Sequence, residues 1–223
     1  SILEKAKSSL PYLEEFELMK NYQIEADNSV DLSAEFQLLD EIFRGVNLLG
    51  DYSPKVKDQV LSQGEIVSAK LIANLLNKKG VKANFADARL LIKTNNQFGK
   101  AQPFENTSEE NVIEFFRNQP NEVTQIITGF IGSNLSGETT TLGRNGSNYT
   151  ASLIANFLNA EEFQNYTHVD GIYTANPDLV ENSKKIEKLS YQEANEMANF
   201  GANILHAKTI IPLIEKNIPL RIL

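Results

Sequence analysis

Residues 123–131, VTQIITGFI, form a β-branched, apolar run bounded on both sides by polar sequence. A run of this kind suits a parallel strand buried on both faces, and parallel strands are joined by crossover connections that are usually helical. The neighbouring segments supply such helices. Ser108 is placed to cap a short helix through Arg117, and a polar loop after residue 131 leads to a helix from about Ser147 to Leu158.

The same alternation extends over the chain. The first fifty residues read mainly as helix, with Leu38, Leu39, Ile42, Phe43 and Val46 at helical spacing. Ser53-Pro54 offers an N-cap followed by proline at the first helical position, and the pattern then runs through Val60, Ile66, Leu71 and Leu75 to Gly80. Gly64 predicts a break in that helix or a close backbone approach, since glycine costs a helix about 1 kcal/mol relative to alanine. Residues 81–93 read as a strand ending in the Thr94-Asn95-Asn96 loop, and a short strand is predicted near 163–169. Ser190-Tyr191-Gln192-Glu193 is a capping box that opens a helix, and a last helix at 209–216 leads into a strand at 218–223. The expected fold class is α/β, a three-layer αβα sandwich with a mainly parallel sheet and ligands at the carboxyl ends of its strands. One domain over residues 1–223 is the simplest count, with 1–80 mainly helical and 81–223 built of strands and helices.

Composition narrows the partners. Lys and Arg total 21 against 29 Asp and Glu, and a net charge of −8 removes the positive surface that nucleic acid or an anionic membrane would require. The absence of cysteine excludes disulfides, thiolate nucleophiles and cysteine-ligated metals, and His168 and His206 are the only histidines. No apolar run approaches the roughly 20 residues that span a bilayer, and the N-terminal residues carry no signal-peptide pattern, so a cytoplasmic location is expected.

Chemistry concentrates in Gly143-Arg144-Asn145-Gly146-Ser147-Asn148, where two glycines let the backbone curl around a ligand just before a helix. Backbone N–H groups and the positive end of the helix dipole favour an anion there, Ser147 adds a hydroxyl, and Arg144 can hold a carboxylate through two parallel hydrogen bonds. A capped turn with no ligand would carry similar residues.

The longer string 129–158, GFIGSNLSGETTTLGRNGSNYTASLIANFL, resembles the substrate-binding strand, glycine loop and helix of the aspartokinases. Other segments follow in the family's order. Leu61-Ser62-Gln63-Gly64-Glu65 resembles its serine-x-glycine-glutamate segment, residues 167–177 its nucleotide-binding turn, and residues 199–206 its phenylalanine-glycine-alanine helix. Gly45-Val46-Asn47-Leu48-Leu49-Gly50 and Asn145 look like the kinase domain of the bifunctional aspartokinase/homoserine dehydrogenases. The resemblance implies the amino-acid kinase (carbamate kinase-like) fold and transfer of phosphate from ATP, with Mg²⁺, to the side-chain carboxylate of L-aspartate. That reaction opens the route to threonine, methionine and lysine. It further implies that Glu65, Phe130, Thr141, Arg144 and Ser147 hold aspartate, that Arg144 and Asn148 stand at the reacting groups, and that Thr167, His168, Asp170, Gly171 and Tyr173 lie along the nucleotide. A homo-oligomer is expected of the full-length protein.

The chain departs from the family pattern at four positions. Asn148 and His168 stand where aspartates are usual, Asp178 where arginine commonly reaches the phosphates, and Asn203 where lysine does so. The family's opening strand, ending in lysine-phenylalanine-glycine-glycine, has no counterpart, which points to a fragment that turns over poorly by itself. These departures leave open a second reading, a module that binds an amino acid for regulation without phosphoryl transfer. Another amino-acid kinase is a third.

Overall fold

A computed structural model of the chain describes residues 1–167, 171–175, 179–193, 196 and 207–223. Its backbone divides into two units, Ser1–Gly146 and Ser147–Leu223.

The first unit opens with four helices, α1 (Ile2–Lys7), α2 (Leu13–Ala26), α3 (Ser33–Leu49) and α4 (Pro54–Lys78). Leu3, Ala6, Tyr12, Phe16, Leu39, Phe43 and Val46 form one buried cluster. Within it the Phe43 ring meets Tyr12 and Phe16 edge-on, with centroids 6.0 and 5.3 Å apart. Each such buried side chain contributes about 1.5–3 kcal/mol. The predicted cap of α4 is present: Ser53 Oγ accepts from the Val56 N–H at 3.3 Å, with Pro54 as first helical residue. The predicted break at Gly64 is absent. The helix runs unbroken for 25 residues, and a Cβ added at Gly64 would meet nothing within 4 Å. Burial of Ile66, Val67 and Leu71 on the next turns outweighs the weak local preference of one glycine.

Polar contacts fix the ends of this helical layer. The buried Asp27 carboxylate accepts from the Ser29 N–H, the Ser29 hydroxyl, the Asn74 amide and the Lys78 ammonium. In the last turn of α4, the Asn77 amide donates to the Ala83 carbonyl at 2.6 Å and accepts from the Ala83 N–H at 3.1 Å.

Residues 81–93 hold more than the single strand expected. β1 (Ala83–Ala86) gives way to the short helix α5 (Ala88–Leu91), capped by the Asp87 side chain at the Arg89 N–H, before β2 (Lys93–Thr94). A local side-chain cap thus overrides the extended preference of the apolar residues. The helix assigned to a Ser108 cap is α6 (Glu105–Arg117), whose N-cap position is Phe104, four residues earlier. Ser108 lies inside it, buried, with its hydroxyl bonded to the Lys93 N–H at 3.0 Å, so it serves a tertiary contact.

The run at 123–131 is two strands, β3 (Thr124–Ile127) and β4 (Ile131–Asn134). Phe130 separates them with φ 69°, a left-handed conformation that no strand residue adopts. β3 pairs parallel with β1, and β4 pairs parallel with β2. The stretch read as a polar loop contains β5 (Thr139–Thr141), antiparallel to β4 and buried at all three residues.

In the second unit α7 (Gly146–Phe157), whose first residue ends the preceding unit, is followed by β6 (Phe163–Asn165), α8 (Ala207–Glu215) and β7 (Leu220–Ile222). β6 and β7 are parallel. Ala155, Phe163, Leu213 and Ile218 form the core there. The predicted capping box is formed: the Ser190 N–H donates to Glu193 Oε2 at 2.8 Å and the Glu193 N–H to Ser190 Oγ at 3.2 Å. The α/β class and the predominance of parallel pairing agree with the sequence. No described helix is long and apolar enough to cross a membrane.

Candidate active site

Most of the predicted amino-acid site falls in the first unit. α4 carries Asp58, Ser62 and Glu65, three positions that share a face because residues seven apart in a helix are separated by almost two whole turns. Ser62 is fully buried and its hydroxyl donates to the Gln59 carbonyl at 2.8 Å. Glu65 is half-buried, and desolvation by burial pushes its carboxyl above the usual carboxylate range. A ligand bringing positive charge to Glu65 would restore the ionised form.

The three threonines of β5 are held from inside the protein. Thr139 Oγ1 accepts from Arg89 at 3.3 Å, the Thr140 and Thr94 hydroxyls are hydrogen-bonded to each other at 2.7 Å, and Thr141 Oγ1 donates to Asp58 Oδ1 at 2.9 Å. Thr141 is 1% exposed, so it lies beneath the surface of the region and not on it. Its N–H donates to the other Asp58 oxygen at 2.9 Å, and that oxygen also accepts from the Gly99 N–H at 2.8 Å. Asp58 is the polar anchor that sequence reasoning missed. A lone aspartate in a helix gives no motif, and its only signal is that it lies seven residues before Glu65.

The chain then turns. Gly143 has φ 76° and Asn145 φ 58°, and the Gly146 N–H closes on the Gly143 carbonyl at 3.0 Å. Neither glycine accepts a side chain. A Cβ at Gly143 would lie 3.1 Å from the Gly99 carbonyl oxygen, and one at Gly146 would lie 2.7 Å from the Phe130 ring. Phe130 is half-buried and sits at the centre of a three-residue turn closed by the Ile131 N–H on the Gly129 carbonyl at 2.8 Å. Left-handed backbone at a bulky residue is strained, and such strain concentrates at functional sites.

Arg144 stands exposed on this turn, and no acidic partner pairs with it among the described residues. An unpaired guanidinium on a two-glycine turn is suited to a carboxylate or phosphate. In the second unit, Ser147 is exposed and Asn148 half-buried in the first turn of α7.

Of the residues predicted along the nucleotide, Thr167, Gly171 and Tyr173 are described. The Thr167 N–H donates to the Leu223 carbonyl at 3.1 Å, and Tyr173 bridges to Lys185. Gly171 is buried, and a Cβ there would lie 2.5 Å from Lys185 Cε. Gly171 also borders a cavity of about 810 Å³ whose walls include Lys185, Lys188 and Tyr191. His168 and Asp170 lie outside the described residues, as do Asp178, Asn203 and His206. Among the described residues, no group of three or more His, Cys, Asp or Glu side chains is placed to hold a metal ion.

Comparison with known proteins bears on this arrangement. The sequence model of the amino acid kinase family matches residues 11–223. The lysine-sensitive aspartokinase 3 of Escherichia coli (strain K12) is 41% identical over 167 residues, which are 75% of this chain and 37% of that protein. The chloroplastic bifunctional aspartokinase/homoserine dehydrogenase 2 of Zea mays is 33% identical over 190 residues, 85% of this chain and 21% of that protein. The crystal structure of E. coli aspartokinase III in complex with aspartate and ADP (R-state) superposes with a TM-score of 0.88 at 32% identity, covering 99% of this chain and 52% of that one. The chain thus spans about half, or less, of the length of the relatives it matches.

Proposed function

Since the chain belongs to the amino acid kinase family, we propose that the protein phosphorylates the side-chain carboxylate of L-aspartate with ATP, giving 4-phospho-L-aspartate and ADP. The observation that carries this reading is the presence, in one unit, of both Glu65, whose carboxyl is pushed up by burial, and Arg144, an exposed guanidinium on a two-glycine turn. An α-amino acid offers an ammonium to the first and a carboxylate to the second.

In the reaction, an oxygen of the aspartate side chain attacks the γ-phosphorus. A new O–P bond forms, the bond to the β–γ bridging oxygen breaks, and ADP leaves with that electron pair. No general base is required, because the carboxylate is already ionised at neutral pH. The residues chiefly align the two reactants and offset the developing charge. Glu65 holds the ammonium, Arg144 and Ser147 hold carboxylate oxygens, Phe130 shapes the turn beside them, and Thr141 supports the site from beneath. Asn148 is assigned to the reacting groups as a hydrogen-bonding side chain without charge. Thr167, His168, Asp170, Gly171 and Tyr173 are assigned to the nucleotide, and the cavity beside Gly171 has the volume of an ordinary small-molecule site. Among the described residues no carboxylate cluster suits Mg²⁺, so the ion is assigned to the nucleotide phosphates.

The product would enter the route to threonine, methionine and lysine, in the cytoplasm and in a homo-oligomer. The direct test supplies the full-length protein with ATP, Mg²⁺ and L-aspartate and traps the acyl phosphate with hydroxylamine. Aspartyl hydroxamate is the expected product, and its absence would rule out catalysis. Asn148, in the place of the family's aspartate, favours a second reading as a regulatory amino-acid-binding module. Calorimetry that finds affinity for aspartate and none for ATP would select it.

A further inference from the structure

Asp58 is 1% exposed, and among the described residues no lysine or arginine pairs with it. A buried carboxylate without a cation is costly unless several donors satisfy it. Here three do, from two separate chain segments: the Gly99 N–H, the Thr141 N–H and the Thr141 hydroxyl, at 2.8, 2.9 and 2.9 Å. Those segments flank the turn that carries Arg144. Thr141 lies three residues before Arg144, and the Gly99 carbonyl packs where a Cβ of Gly143 would be, 3.1 Å away. The Ala101 N–H to Thr141 carbonyl bond, at 2.8 Å, ties the two segments to each other. On the other side, Asp58 is fixed in α4, and Glu65 lies seven residues on, about 10.5 Å along the same face.

We propose that Asp58 is a positioning residue that sets the spacing between the Glu65 and Arg144 ends of the amino-acid site. The proposal rests on the reading of that site given above. One carboxylate is the common reference for both ends, since it belongs to the helix of Glu65 and holds the strand and loop beneath Arg144. A ligand that engages both ends senses the spacing. A ligand that engages only the Arg144 end does not.

L-Aspartate and succinate separate these cases, because succinate keeps both carboxylates and lacks the ammonium. Calorimetry on the full-length protein would compare the two ligands with wild type, Asp58→Ala and Asp58→Asn. Asp58→Ala is expected to weaken aspartate by at least about tenfold while succinate changes by less than about twofold, with Asp58→Asn between, since its amide oxygen still accepts. On a Glu65→Gln background, Asp58→Ala should cause little further loss. A parallel loss for both ligands would mark general destabilisation and overturn the proposal, as would unchanged aspartate affinity. If Asp58→Ala does not fold, the Asp58→Asn titrations decide by the same comparison. A wild-type protein that does not prefer aspartate to succinate overturns the site reading and the proposal with it, whereas a preference that survives Asp58→Ala overturns the proposal alone.

Discussion

Asp58 and Thr141 stand 83 residues apart in sequence and are joined twice, through the backbone N–H and the hydroxyl of Thr141. One turn earlier on the same helix face, Lys55 pairs with Glu138 at the entrance to β5. The first half of α4 is therefore fastened along β5 at two points. Beyond Asp58, no described side chain of α4 makes a further polar tie to that strand, which leaves Glu65 available to a ligand.

Arg144→Ala is expected to weaken aspartate binding by about 2 kcal/mol or more, roughly thirtyfold, by removing a charge-assisted pair. Because Arg144 is exposed and unpaired with any described acid, the melting temperature should hardly move. Titration calorimetry and a thermal melt on the same sample check both halves. Unchanged affinity would defeat the carboxylate assignment.

Glu65 predicts a pH dependence of known sign. Its carboxyl is raised by burial, so the folded chain keeps the proton to higher pH than the unfolded chain does. Its contribution to stability is fully present below the unfolded value and is lost as pH rises through the folded one. Glu65→Gln should therefore raise the melting temperature slightly at pH 7, with no gain near pH 4, and should weaken aspartate about tenfold or more. A gain that persists at low pH would contradict the assignment.

Gly64→Ala should stabilise the protein by about 1 kcal/mol, a rise of about 2–4 °C in Tm, since the helix is continuous and the added methyl meets nothing within 4 Å. Differential scanning calorimetry reads this directly. A fall in Tm would contradict a continuous, unobstructed helix at Gly64.

Asp27 predicts the opposite acid response to Glu65. Lys78, Ser29 and Asn74 hold its carboxyl well below the usual range. The stability it confers is present above the ordinary aspartate pKa and is lost as pH falls through the depressed folded value. Asp27→Asn should lower the melting temperature at pH 7, and the gap to wild type should close as the medium is acidified. An equal gap at all pH values would show that the carboxylate charge contributes nothing.

What the sequence revealed depended on whether the cause was local. Ser53 with Pro54, and Ser190 with Glu193, satisfy neighbouring N–H groups within one turn, and both were legible. Ser108 carries the same hydroxyl but uses it on Lys93, 15 residues away, so the identical signal misled. Thr139, Thr140 and Thr141 looked like loop because they are polar. They are a buried strand because Arg89, Thr94 and Asp58 answer each hydroxyl, partners that lie 50, 46 and 83 residues off. The glycine turn and Glu65 were legible through ordered resemblance, while Asp58 offered no motif and emerged only with its three donors.

The pairing of Asn77 with Ala83 has a consequence for behaviour in solution. β3 takes one side of β1, and the outward N–H and C=O of Ala83 are occupied by an amide side chain. No described strand pairs with β1 on that side, and Asn77 acts there as a one-residue substitute strand at the first rung. An unpaired rung of that kind recruits strands from other molecules, so this asparagine guards the chain against edge-to-edge aggregation.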